Sequence, residues 1–120
     1  MILDEYNSFC AGLAHTTHVV QWGNADVWKI GAKVFAIAGW LEGDELGVTF
    51  KVSELSFEIL KEQPGCRPAP YLASRGMKWI QRTGTETLSD AELCDYLRQS
   101  YAIVGRGLTK KLQRELGLLD

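Results

Sequence analysis

Residues 27–38 read Val-Trp-Lys-Ile-Gly-Ala-Lys-Val-Phe-Ala-Ile-Ala, two β-rich runs with only Gly31 and Ala32 between them. A connection of two residues joins antiparallel strands, because parallel strands need a crossover of about a dozen residues or more. The segment therefore predicts a β-hairpin with strands at 27–30 and 33–38.

Three further β-rich runs extend this hairpin into a sheet: residues 19–22, 48–52 and 77–83. The first four strands follow one another through connections of about two to nine residues, too short for a parallel crossover, which indicates an antiparallel meander. Within 48–52, apolar residues alternate with Thr49 and Lys51. One face of the sheet is therefore expected to be packed and the other at least partly solvated.

Apolar residues at helical spacing predict helices around these strands. The first helix is marked by Ile2, Tyr6, Phe9, Cys10 and Leu13. The second begins at the N-cap residue Ser53, and its predicted apolar stripe is Leu55, Ile59 and Leu60. This helix ends before three closely spaced prolines, which make residues 64–70 a stiff extended connector.

The sharpest local signal is Ser89-x-x-Glu92, a capping box at the start of a third helix. Leu88 and Leu93 flank it as a hydrophobic staple, and the helical stripe continues through Leu97, Tyr101, Val104 and Leu108. Gly105 and Gly107 predict a break in the helix. A short final helix then contains Leu112, Leu116 and Leu119.

The order of elements is α-β-β-β-β-α-β-α-α, in a single domain over residues 1–120. Runs of strands mixed with helices in this order predict an α+β fold. We expect a two-layer sandwich in which an antiparallel sheet of about five strands carries its helices on one face.

The composition is that of a globular domain: 120 residues, 46% hydrophobic and 23% charged, with a formal net charge of −2. This excludes a disordered chain or a coiled coil, and the charge argues against a dedicated nucleic-acid binder. The charge is unevenly spread, however. Residues 1–60 carry a formal charge of −5 and residues 61–120 a charge of +3, which marks either a binding surface or chance placement of solvated charges.

The N-terminal residues lack the pattern of a signal peptide, and no apolar run has the length of a membrane span. The three cysteines, Cys10, Cys66 and Cys94, fit neither a disulfide framework nor a zinc motif. These features favour a cytoplasmic protein without a membrane partner.

Seven stretches that together span nearly the whole chain share a recognisable order and spacing: 19–23, 26–36, 50–52, 69–72, 78–80, 100–101 and 108–111. In this order and spacing the chain resembles the MmcQ/YjbR family of small bacterial proteins. The resemblance implies a CyaY-like or secretion-chaperone-like α+β sandwich. It also implies DNA binding through a "double wing" of β-hairpins that flank helices.

No pattern supports an enzyme, a metal site or a cofactor. His15 and His18 lie three residues apart, but no further ligands accompany them. Cys66 is expected to be the most exposed cysteine, and the adjacent Arg67 could lower its pKa, but no base is placed beside it. We therefore expect no catalytic residues.

The four tryptophans, Trp22, Trp28, Trp40 and Trp79, suggest either base stacking or packing in the core or against a hairpin. They lie in or beside strands, which favours core or hairpin packing, and Trp28 shares its face with Ile30. Trp40, at the tip of the long hairpin, is the best candidate for exposure.

The candidate nucleic-acid-binding residues are Lys33, Lys51, Arg98, Arg106, Lys110, Lys111 and Arg114. Five of them lie in residues 96–114, which contain no acid. Cations near helix C-termini are also favoured by the helix dipole, which explains some of these positions but not the absence of acids.

Two functions remain open. The first is non-enzymatic DNA binding by phosphate contacts from this basic region, largely independent of base sequence. The alternative is a protein-interaction or chaperone-like module. Such a module would pair its open sheet face or an edge strand with a protein partner or a second copy.

Overall fold

A computed structural model describes residues 1–118, except for the side chain of Ser74. The helices are α1 (Leu3–Ala11), α2 (Glu54–Leu60), α3 (Asp90–Arg106) and α4 (Lys110–Glu115). The strands are β1 (Thr16–Gln21), β2 (Ala25–Ile30), β3 (Lys33–Ala38), β4 (Val48–Lys51), β5 (Cys66–Pro68) and β6 (Trp79–Arg82). Leu119, assigned above to the final helix, lies outside the described residues.

The six strands form one antiparallel sheet in the order β1-β2-β3-β4-β6-β5. The hairpin predicted from residues 27–38 is confirmed, with Val27 opposite Ile37 and Ile30 opposite Lys33. Gly31 and Ala32 turn the chain with φ angles of +54° and +75°. The α+β fold with an antiparallel sheet is therefore as the sequence indicates.

The sheet has one strand more than the five expected. Residues 66–68 of the proline-rich connector pair with β6 and form β5 at the edge of the sheet. Proline lacks an N–H group, and an edge strand can accommodate it because one side of the strand needs no partner. The first strand also begins earlier than expected, at Thr16, and the 77–83 strand is shorter, at Trp79–Arg82.

Helix α3 packs across the centre of the sheet. Its Tyr96 ring stacks on Phe50, with ring centroids 5.4 Å apart, and Tyr101 meets Phe35 edge-on at 5.5 Å. The buried Ser100 hydroxyl donates to the carbonyl of Phe35 at 2.6 Å and accepts the N–H of Lys51 at 2.9 Å. These bonds fix α3 to both β3 and β4.

The predicted capping box is confirmed at the start of α3. The N–H of Glu92 donates to the Ser89 hydroxyl, and the N–H of Ser89 donates to the Glu92 carboxylate, both at 3.1 Å. The helix ends at Arg106 with Gly107 as its C-cap, so the predicted break is also confirmed.

The predicted stripe of α2 is wrong in part. Leu60 is buried, but Leu55 and Ile59 are 72% and 53% exposed, and Phe57 fills the core instead. The large Phe57 ring reaches the core three residues before Leu60, on the same helical face. None of the helices described in residues 1–118 is long and apolar enough to cross a membrane.

Candidate functional site

One face of the sheet points away from helix α3, and we call it the open face. Cross-strand partners share a face, so the register defines a row of open-face residues across all six strands. The row is Val19, Val27, Ile37, Thr49, Gln81 and Arg67. Along the strands, Lys29, Lys51 and Trp79 alternate onto the same face. The strand positions of this face therefore carry Lys29, Lys51 and Arg67 and no acid.

Three aromatic residues meet beside the open face, and we call Trp22, Trp40 and Tyr71 the aromatic cluster. The Trp22 and Trp40 rings lie 6.2 Å apart, and Trp40 meets Tyr71 edge-on at 5.3 Å. The indole N–H of Trp40 donates to the carbonyl of Trp22 at 3.1 Å. Trp22 is 53% and Tyr71 68% exposed, so the cluster is a surface feature.

The backbone of the aromatic cluster is strained. Trp22, Trp40 and Tyr71 have φ angles of +53°, +60° and +68°. This left-handed conformation is a genuine outlier for a bulky side chain and costs on the order of 1 kcal/mol or more at each position. Such strain persists only where surrounding contacts impose it, and it clusters at functional sites.

Buried Gln81 holds Trp40 in this conformation. Its Nε2 donates to the carbonyls of Gly39 and Trp40 at 3.1 and 3.2 Å, and its Oε1 accepts the Nε–H of Arg67 at 2.6 Å. Arg67 also reaches the Trp40 carbonyl at 3.4 Å. The open face thus carries a polar network that supports the aromatic cluster from below.

Two adjoining cavities extend from the cluster, the larger beside the aromatic rings and the smaller from the open face to the C-terminal end of α3. The larger, about 820 Å³, is lined by Trp22, Trp40, Tyr71, Glu42 and Arg75 among others. The smaller, about 330 Å³, is lined by Trp22, Ile37, Trp79, Lys33, Lys51 and the C-terminal end of α3. Both have Trp22 and Leu72 in their walls. Their volumes fall in the range of ligand sites, about 300–1,000 Å³.

The end of α3 gathers most of the predicted basic residues. The Lys33 ammonium donates to the carbonyl of Gly107 at 3.1 Å, and Gln113 of α4 donates to the carbonyls of Arg106 and Leu108. Helix α4 is thereby folded back against the end of α3. We call the exposed cations gathered there the basic end: Lys33, Arg106, Lys110, Lys111 and Arg114.

Two predicted residues lie outside the basic end. Lys51 is on the open face, where it lines the smaller cavity with Lys33. Arg98 lies elsewhere on α3, where its guanidinium sits 5.0 Å from the centre of the Phe9 ring and pairs with Asp95 at 2.7 Å. Five of the seven predicted residues therefore lie in the basic end. A sixth, Lys51, lines the smaller cavity together with Lys33.

The helix dipole does not explain all of the basic end. Arg106 and Arg114 lie in the last turns of their helices, where a cation is favoured. Lys110 and Lys111 lie in the first turn of α4, which contains no acid. A cation is disfavoured there, so these two lysines do not serve the stability of the helix.

The cysteines are not arranged as nucleophiles. Cys66, expected to be exposed, is 8% exposed, and burial raises the pKa of its thiol in spite of the nearby Arg82. Burial raises the pKa of Cys10 to about 12 and also raises the pKa of Cys94. The strand pairing of residues 66–68 accounts for the error, because it draws Cys66 into the core.

His18 lies in strand β1, where its Nε2 is 2.8 Å from a carboxylate oxygen of Asp26. Within residues 1–118 no three His, Cys, Asp or Glu side chains are grouped to hold a metal ion.

The sequence favoured core or hairpin packing for Trp22. The core is wrong, because Trp22 is 53% exposed and packs on Trp40 at the surface. The turn Trp22-Gly23-Asn24 is the signal that could have corrected it. All three residues have positive φ angles, which places the tryptophan past the end of its strand. Trp28 is buried as expected, and Trp40 is half-buried.

Comparison with known proteins decides the family. The model of the YjbR family matches residues 11–103 of this chain. The chain belongs to the YjbR family. The resemblance to MmcQ/YjbR proteins predicted from the sequence is therefore confirmed. This YjbR chain matches none of the curated proteins.

Solved structures that are similar to this YjbR chain include the following two. One is the crystal structure of Deinococcus radiodurans protein DR2400, which carries the domain named DUF419. It is 27% identical in sequence and has a TM-score of 0.84. The match covers 98% of this chain and 89% of that one. The other, a protein from Pseudomonas syringae, has a TM-score of 0.68 at 18% identity, over 86% of this chain and 98% of that one. The second likeness concerns the fold alone.

Proposed function

We propose that this YjbR protein binds DNA without catalysing a reaction, through contacts between the basic end and phosphate groups. The observation that carries the proposal is the hydrogen bond from Lys33 to the carbonyl of Gly107. It draws a strand lysine to the junction of α3 and α4, where the other four cations of the basic end lie. Five exposed cations in one region suit a phosphate backbone, whose binding is driven by counterion release.

Two further observations support the proposal. Residues 96–114 contain five cations and no acid. Arg98 is paired with Asp95, and the other four cations all belong to the basic end. Lys110 and Lys111 occupy helix positions that disfavour a cation, which suggests selection for an anionic partner. Phosphate contacts carry no sequence information, so binding is expected to tolerate most base sequences.

The raised pKa values of the three cysteine thiols support the proposal that the protein catalyses no reaction. All three thiols have raised pKa values because of burial, whereas a catalytic cysteine needs a lowered one.

A protein-interaction module is the second candidate, and the edge strand β1 favours it. This strand has six residues, no proline and only β2 as its neighbour in the sheet. An edge of this kind can pair with a strand of another chain. The opposite edge, β5, is three residues long and contains Pro68, so it is less suited to pairing.

The experiment is a fluorescence-anisotropy titration of a labelled duplex of about 20 base pairs at several salt concentrations. The variant Lys110→Ala/Lys111→Ala removes two exposed cations of the basic end. The control variant Lys61→Ala/Arg98→Ala also removes two cations, both from i,i+3 ion pairs outside the basic end.

Each phosphate contact contributes about 0.9 to the slope of log affinity against log salt. The Lys110/Lys111 variant should therefore show a slope shallower by about 2, while the control keeps the slope of the wild type. Equal slopes in both variants would reject the basic end as the interface. A wild type that leaves DNA free but elutes as a complex with a second copy would favour the interaction module.

A further inference from the structure

We infer that the aromatic cluster and the two adjoining cavities bind the unpaired bases of single-stranded DNA, with Lys33 and Lys51 on the phosphates. This deepens the proposed function and rests on it, because Lys33 belongs to both surfaces. It adds a second mode of contact, to bases rather than to the backbone of a duplex.

The aromatic residues provide the stacking surface. Trp22 and Tyr71 leave half or more of their surface in solvent. Trp40 lies between them, with ring distances of 6.2 and 5.3 Å to its two neighbours. Aromatic side chains beside a sheet face are a recurrent platform for unpaired bases, since every base has a π face.

The fold holds the aromatic cluster in place at the cost of backbone strain. Three bulky residues hold left-handed backbone conformations, and the Gln81–Arg67 network beneath Trp40 maintains one of them. A fold that only needed to bury these rings would have no reason to strain the backbone while leaving two of them exposed. Strain of this kind is characteristic of ligand-binding positions.

The charge along the cavities suits a polyanion. The charged residues that line the two cavities are Lys33, Lys51 and Arg75 with one acid, Glu42. Lys29 and Arg67 add two cations to the open face. Alternating aromatic and basic residues are the usual make-up of a single-strand binding groove. An apolar protein segment would gain nothing from these cations, so the charge favours an anionic ligand, and the exposed aromatic rings favour one with stacking bases.

The test compares three labelled ligands at about 50 mM salt: an oligothymidylate of about 15 nucleotides, an abasic oligomer with the same number of phosphates, and a duplex. The variants are Trp22→Ala and Tyr71→Ala, made separately. The control is Ile59→Ala, which removes a side chain of α2 that is 53% exposed, the same fraction as Trp22. Circular dichroism confirms that each variant is folded.

The wild type should bind oligothymidylate more tightly than the abasic oligomer, with quenching of tryptophan fluorescence. Loss of one stacking residue costs about 1–3 kcal/mol per base, which corresponds to weakening by about 5- to 150-fold. Each aromatic variant should show this loss for oligothymidylate and keep its affinity for duplex, and Ile59→Ala should behave as the wild type.

Equal affinity of the wild type for the oligothymidylate and abasic ligands would overturn this inference and leave duplex binding by the basic end intact. Loss of duplex and single-strand affinity to the same degree in the aromatic variants would also overturn it. If none of the three ligands binds, the proposed function and this inference both fall.

Discussion

The ammonium group of Lys33 donates a hydrogen bond of 3.1 Å to the carbonyl oxygen of Gly107, 74 residues away in the chain. The two residues come from different layers, because Lys33 begins strand β3 and Gly107 caps helix α3. Their bond joins the central hairpin to the α3–α4 junction. It is the reason that a strand lysine belongs to the same charged surface as the cations of α4.

Reversing the charges of Lys110 and Lys111 should raise stability while it abolishes DNA binding. A glutamate in the first turn of α4 interacts favourably with the helix dipole, by about 0.3–1 kcal/mol per residue. We expect Lys110→Glu/Lys111→Glu to increase the free energy of unfolding by about 1 kcal/mol in urea denaturation. The same protein should show no affinity for duplex DNA by anisotropy. A variant that is more stable and still binds would show that these lysines do not contact DNA.

Replacing Gly31 by alanine should displace α4. Its φ is +54°, and an added Cβ would lie 3.0 and 3.1 Å from the side chains of Leu108 and Leu112. We expect Gly31→Ala to cost about 2–3 kcal/mol in urea denaturation, from overpacking together with backbone strain. The control is Gly76→Ala, where φ is +77° and the added Cβ meets nothing within 4 Å, so that only strain of about 1 kcal/mol remains. Equal losses in both variants would show that α4 does not pack on the hairpin turn.

The ion pair between Arg82 and Asp90 should make stability fall in acid. The buried Arg82 guanidinium lies 2.8 Å from the Asp90 carboxylate and, with the amino group of Met1, holds the pKa of that carboxyl below its usual value. A lowered pKa in the folded state contributes stability above the unfolded value of about 3.9 and loses it as the pH falls below that.

Asp90→Asn should therefore be less stable than the wild type at pH 7, by about 1 kcal/mol because Asp90 is half-exposed. The two proteins should converge as the pH falls through the lowered folded-state pKa of Asp90. Urea midpoints measured from pH 2 to pH 8 test this. A difference that persists unchanged at pH 2 would mean that the carboxylate charge is not its source.

The thiols should be slow to react in the native protein. Cys10 and Cys66 are buried, and burial raises the pKa of all three cysteines. At pH 8 we expect a disulfide exchange reagent to label half-buried Cys94 first, slowly, and Cys10 and Cys66 only on unfolding. Mass spectrometry of the labelled protein identifies the order. Rapid labelling of Cys66 would restore it as a candidate nucleophile.

Local patterns were sufficient for much of the fold. The turn at Gly31 and Ala32, the capping box at Ser89 and the break at Gly107 depend on neighbours in the chain, and each was predicted correctly. The strand at Cys66–Pro68 depends on pairing with Trp79–Arg82, a contact between distant residues. The buried face of α2 likewise depends on which side meets the sheet, and a seven-residue helix carries too few apolar positions to decide it.

The candidate site was likewise predicted only in part from the sequence. The basic residues of 96–114 were identified from their charge alone. Their grouping with Lys33 and the separation of Arg98 required the fold, because both follow from long-range contacts. The aromatic cluster could not be recognised, since its tryptophans resemble strand residues of a core. Its left-handed backbone is set by the turn at Trp22 and by Gln81, 41 residues after Trp40.

The most direct measurement is the salt dependence of duplex binding by the unmodified protein. Five phosphate contacts from the basic end predict a slope of about −4 to −5 for log affinity against log salt, between about 50 and 200 mM. Affinity should therefore fall by more than about 100-fold over that range. Undetectable binding at the lower salt concentration, or a slope near zero, would contradict the account.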